Sequence, residues 1–171
     1  GCNYIQTRST ASHYNIFSGM SLEKRAGGFL LTGGKGKKVV AGCKLPAKIV
    51  RTYLHTTPET LHQLWEQTVK GHLNAHAVGF NAHLANGLAA FFIACGQDVA
   101  NVVNAATGIS HLECTAEGDL YASLVLPALT LATVGGGVDL GTSKECLQML
   151  DCYGTGKAQK LAEIMAAALL G

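Results

Sequence analysis

The clearest alternation of apolar and polar positions lies in "KVVAGCKLP". Val39, Ala41, Cys43 and Leu45 share one face, with Lys38 and Lys44 on the other, so the stretch predicts a half-buried strand. Pro46 then opens a short helix over "PAKIVRTYLH". A clearer helix follows in "TTPETLHQLWEQTV". Thr57 is placed to cap it, Pro58 suits its first position, and Glu59 complements the helix dipole there. Leu61, Leu64, Trp65 and Thr68 form its apolar stripe. From Phe80 to about Asn104 the pattern is apolar almost all round, which predicts a central helix buried on every side. "GISHLECTAEGDLYASLVLP" reads as a hairpin turning at "AEGD", and "ALTLATV" extends the β region into three glycines. Two more helices follow, "GTSKECLQML" capped by Thr142 or Ser143, and "GKAQKLAEIMAAALL". Upstream, "TRSTASHYN" is turn-like and "GGFLLTGGKGKK" suggests a loop flanking a short strand. Mixed helices and a meandering sheet make the class α+β.

Composition narrows the picture. Only 14% of the 171 residues are charged, against about a quarter in an average soluble domain. Together with ends that look cut, this predicts a piece of something larger or a chain that needs a partner. The net charge of +2 is too small to argue for nucleic acid or an anionic membrane. Leu84–Cys95 is too short to span a bilayer. Six cysteines without a CxxC pair read as reduced thiols in a cytosolic protein.

Four features carry candidate chemistry. The lysine-rich loop fails as a phosphate loop, because Phe29 stands where the first glycine is needed and Gly36 where a hydroxyl should bind magnesium. His72, His76 and His83 could share a helix face, but Leu73 replaces the glutamate of a zinc protease motif, and no metal site is expected. Gly135, Gly136 and Gly137 are either a flexible turn or bare backbone meant for a phosphate or ring. Asp98 is the first charge after Lys70. A carboxylate ending a buried apolar helix needs a partner or a raised pKa, whereas at an exposed helix end it simply faces water.

Several stretches taken together resemble the 3-hydroxy-3-methylglutaryl-CoA (HMG-CoA) reductase family, closer to its class I form. They are "LPAKIVRTYLHTT", "GFNAHLANGLAAFFIACGQDVANVV", "GDLYASLVLPALTLATVGGG" and "CLQML", in order from about Lys37 to Leu150. The resemblance implies a large domain built around a long buried central helix. It assigns residues 31–171 to part of that domain and residues 1–30 to a remnant of a ferredoxin-like cofactor domain. It implies reduction of the HMG-CoA thioester by NADPH, releasing mevalonate and CoA, in a homo-oligomer with its active site at the subunit interface. The implied location is cytoplasmic, whether or not a parent protein is anchored to the endoplasmic reticulum. Asp98 matches the family's catalytic aspartate, which pairs with a lysine that polarises the thioester carbonyl. Asn86, His83 and Lys70 match substrate-binding positions. Gly135, Gly136 and Gly137 match the second cofactor motif, and Asn15 the end of the first.

The departures are equally specific. The first cofactor motif reads "TASHYN", of which only Asn15 agrees. The segment bearing the family's lysine is either missing between Arg25 and Gly33 or altered in "GCNYIQTRS", with Arg8 in the lysine's place. Arginine does not substitute for lysine in such a role. The family's glutamate and histidine are expected outside these residues, so the isolated chain is expected not to turn over. A catalytically dead homologue acting as a binding partner is the alternative.

Overall fold

A computed structural model of the chain describes residues 2–13, 22 and 24–171. Helix α1 spans Cys2–Gln6. Strand β1 spans Lys37–Leu45, followed by α2 at Ala47–Tyr53 and α3 at Pro58–Asn74. Helix α4 covers Leu84–Ala94 and the short α5 covers Val102–Ala105. Strands β2 (Ile109–Cys114) and β3 (Leu120–Leu129) form the expected hairpin. Helices α6 (Gly141–Met149) and α7 (Ala158–Leu170) follow. The class is α+β.

The three strands form one antiparallel sheet in the order β1-β3-β2. Leu120, Ala122, Leu124 and Leu126 alternate into the core from β3. Against them pack Leu161, Met165 and Ala166 of α7 and Leu84, Leu88 and Phe92 of α4, all buried. The outer edge of β2 is sealed by side chains. Trp65 donates its indole N–H to the Ser110 carbonyl at 2.6 Å, and His62 Nδ1 meets the Leu112 carbonyl at 2.8 Å. A bridge from Phe80 to Ile109 covers the same edge. Such cover removes a site of unwanted strand pairing.

Thr57 caps α3 by accepting from the Thr60 amide, with Pro58 in the first turn, as its sequence predicts. Other expectations need correction. "GGFLLT" forms a 3-10 helix over Gly28–Thr32 that buries Leu30, not a strand. Leu64 is 54% exposed, because α3 turns His62 and Trp65 toward β2. β3 ends at Leu129, so Leu131–Val134 extend no strand. No side chain caps α6, which starts at Gly141, ahead of Thr142 and Ser143.

The largest correction concerns the central helix. It does not run from Phe80 to Asn104 and is not buried all round. Gly96 takes φ +64° and ends α4, since a left-handed residue cannot continue a right-handed helix. Only the stripe of Leu84, Leu88 and Phe92 is buried, and Ile93 is 66% exposed. The His72–His76–His83 face is likewise broken: α3 stops at Asn74 and His76 has φ +54°. Among the described residues no helix is long and apolar enough to cross a membrane. Among them, no group of three or more metal-ligating side chains is gathered either.

Candidate functional site

The turn after α4 is built on close backbone packing. A Cβ on Gly96 would stand 2.3 Å from the Gly137 carbonyl oxygen, and one on Gly137 would stand 2.6 Å from the Gly96 oxygen. Both contacts are impossible for a side chain, so "CGQD" and "VGGG" interlock only as glycines. Gln97 fixes the junction from the next position. Its Nε2 donates to the carbonyls of Cys95 at 2.8 Å and Ala132 at 2.9 Å, while its Oε1 accepts the Ala132 N–H at 2.6 Å. The buried amide thus pairs with Ala132 as a peptide group would. Gly135 (φ +73°) and Gly136 (φ +56°) lie beyond this clamp with open space where a Cβ would be.

Asp98 follows directly. It is not buried: its side chain is 45% exposed. The carboxylate caps a 3-10 helix over Val99–Asn101, with Oδ1 accepting the Ala100 N–H at 3.1 Å. Its other oxygen, Oδ2, lies 3.1 Å from Nζ of Lys24. A half-exposed pair of this kind is worth at most about 1 kcal/mol, so its interest is chemical.

The Lys24 turn is unusual. Leu22 and Lys24 both have positive φ, +53° and +56°, a conformation that costs about 1–3 kcal/mol per non-glycine residue. Asn104 of α5, with no exposed surface, donates its amide to the Leu22 carbonyl at 2.5 Å and the Arg25 carbonyl at 3.1 Å. Cys95, on the core side of the junction, has its thiol pKa raised by burial and then by the neighbouring Cys146 and Cys152. Cys43, Cys95, Cys114, Cys146 and Cys152 are all free thiols.

The remaining sequence-derived candidates sit apart from Asp98. His83 occupies the residue before α4 and lines a cavity of about 180 Å³ with Asn81, Ser110, Ser123 and Leu169. Asn86 is exposed in the first turn of α4. With a rise of 1.5 Å per residue, the length of α4 puts roughly 15 Å between its two ends. Lys70 is exposed on α3 and lies 3.7 Å from Glu66, one turn earlier. Arg8 lies over the Tyr4 ring at 4.0 Å, and Lys24, not Arg8, meets Asp98. Asn15 falls outside the described residues.

Sequence reasoning passed over Lys24, Gln97, Asn104 and Asn81. Asn81 accepts the Leu84 amide and donates to the carbonyls of Ala106 and Gly108, tying the start of α4 to the segment before β2. The available signal was an amide side chain inside an apolar run, which is costly unless satisfied. Lys24 gave no signal, because its partner is far away in sequence.

Comparison with known proteins bears on this site. The model of a family described as hydroxymethylglutaryl-coenzyme A reductase matches residues 1–171. A 3-hydroxy-3-methylglutaryl-coenzyme A reductase of Methanocaldococcus jannaschii is 42% identical over 152 residues, covering 87% of this chain and 37% of that protein. One of Methanothermobacter thermautotrophicus is 38% identical, covering 97% of this chain and 42% of its own length. One of Haloferax volcanii is 36% identical over 99% of this chain and 43% of its own. The chain therefore spans about two fifths of the length of these relatives. With its whole length matched, the chain belongs to the hydroxymethylglutaryl-coenzyme A reductase family.

Proposed function

We propose that the chain carries part of an active site that reduces the HMG-CoA thioester with NADPH, giving mevalonate and free CoA. The observation that carries this reading is the 3.1 Å pair of Asp98 with Lys24, set beside an interlocked glycine loop. The Asp98 carboxylate lies against the Lys24 ammonium at 3.1 Å. The ammonium then faces negative charge that develops on the thioester carbonyl oxygen, and it can pass a proton to that oxygen. Hydrogen bonding of Oδ1 to Ala100 leaves Oδ2 for the lysine.

NADPH supplies the hydride when bound, and two such transfers are needed to take the thioester to the alcohol. Gly135 and Gly136 fit it, because beyond their chain neighbours nothing stands within 4 Å of where their Cβ atoms would be and bare backbone admits a dinucleotide closely. Gly137 serves the packing against Gly96 instead. His83 and Asn86, at the far end of α4, offer side chains to a more distant portion of an extended CoA thioester. Exposed apolar residues on α4, α5 and α6, namely Ile93, Val103 and Met149, suit the homo-oligomer that this reading includes.

Calorimetric titration of the 171-residue chain with HMG-CoA tests the reading. Binding is expected, weakened at least about tenfold, the equivalent of 1.4 kcal/mol, by Lys24→Met or by Asp98→Asn. Absence of binding, or binding by both variants as tight as the wild type's, would refute it.

A further inference from the structure

We infer that Asn104 is a positioning residue: its buried amide holds the Leu22–Arg25 turn so that the Lys24 ammonium sits on Asp98. The clamp stands on geometry alone. Its catalytic meaning rests on the reading of the Lys24–Asp98 pair given above.

The pair cannot organise itself. A lysine side chain has four rotatable carbons, and a half-exposed ion pair returns little for ordering them. Among the described residues, the backbone bond that closes the turn presenting it runs from the Arg25 N–H to the Leu22 carbonyl, at 3.2 Å, and Leu22 and Lys24 both have positive φ. Something outside the turn must select that conformation. Among the described residues, Asn104 is the side chain from the body of the fold that bonds its backbone, and it takes the first and last carbonyls of the turn together. Two carbonyl oxygens can be met only by the NH2 end of the amide, which settles its orientation.

The location of Asn104 completes the case. Asp98 caps the 3-10 helix over Val99–Asn101, and α5 continues from it to Ala105. Carboxylate and clamp therefore sit at the two ends of one short helical run. Fixing the Lys24 turn to Asn104 fixes it relative to Asp98. Leucine at this position would match the volume but leave both turn carbonyls without their donor. Aspartate would match the shape and place oxygens against oxygens.

Zero-length carbodiimide cross-linking of the full 171-residue chain, read by peptide mass mapping, measures the geometry directly, whatever the chain binds. The wild type is expected to yield a Lys24–Asp98 amide. Asn104→Leu and Asn104→Asp should lose it to the background level of Asp98→Asn. The links Lys44–Glu117 and Lys160–Asp151, whose partners lie 3.0 and 2.7 Å apart, should persist in the same samples and report that the fold survives. A Lys24–Asp98 link at wild-type yield in Asn104→Leu would overturn the clamp.

If the control links vanish too, the wild type decides by NMR. The Asn104 side-chain amide protons should exchange with solvent far more slowly than those of exposed Asn86, and equal rates would overturn the clamp. Thioester binding that survives loss of the cross-link would count against the catalytic reading and leave the clamp standing.

Discussion

The sheet-and-helix core and the Asp98 junction are held together by different means. In the core, Leu88, Phe92, Leu124, Leu126, Leu161 and Met165 are almost wholly buried on elements whose spacing brings them to one side. Their cohesion is non-directional and scales with buried area. At the junction three separated segments meet: the Lys24 turn, the "CGQD" turn and the glycine loop. They are held by amides, Gln97 on Ala132 and Asn104 on Leu22 and Arg25, and by the glycine-to-glycine contact. An apolar core tolerates repacking. A junction of directional bonds tolerates less, since each bond lost leaves a backbone group without its protein partner. The molecule thus places precision where the chemistry is proposed and bulk stability elsewhere.

Four substitutions test this contrast, in falling order of expected effect. Phe92→Ala removes a wholly buried ring and should cost about 3–5 kcal/mol in a urea unfolding curve, with HMG-CoA binding by the folded fraction little changed. Gln97→Leu should cost about 2–4 kcal/mol by stranding the backbone groups of Cys95 and Ala132. Unlike the first, it should also speed hydrogen exchange across residues 132–137. Equal exchange in both variants would break the comparison. Gly96→Ala forces a Cβ against the Gly137 oxygen at positive φ and should cost about 1–3 kcal/mol, together with loss of NADPH binding measured by fluorescence.

The smallest effect lies at the surface, where Asp151 meets Lys157 and Lys160. Asp151 is held below the ordinary aspartate value first by the Lys160 ammonium and then by Lys157. Its folded pKa is depressed, so the stability it contributes is present above the unfolded value and lost as pH falls through the folded one. Lys160, raised chiefly by Asp151, contributes below the unfolded lysine value and loses that contribution as pH rises through the folded one. Asp151→Asn should flatten the acid limb of a stability–pH curve slightly, because the pair is exposed. An unchanged curve would remove the assignment.

What the sequence made legible follows the same division. Strand β1, the hairpin and the capped start of α3 follow from alternation, turn residues and Thr57–Pro58, all local signals. The boundaries of α4 did not. An unbroken apolar run conceals that Gly96 stops the helix and that Ile93 is left facing outward, because periodicity cannot tell a fully buried helix from one with an uncovered apolar face. Asp98 stood out because a charge in such a run is rare. Lys24 did not, because it reaches Asp98 across 74 positions of chain, a juxtaposition only tertiary structure creates. Gln97 and Asn104 were visible as amides among apolar residues, yet their partners are backbone carbonyls and one backbone N–H, which carry no mark in a sequence.

Substrate and cofactor are proposed to meet at this junction. Hydrogen–deuterium exchange of the wild-type chain, with and without each ligand, tests it most directly. HMG-CoA is expected to slow exchange in the peptides holding Lys24 and residues 97–101, and NADPH to slow it across residues 133–137, with β1 and α7 unaffected. Protection confined to other segments, or none at saturating ligand, would contradict the account.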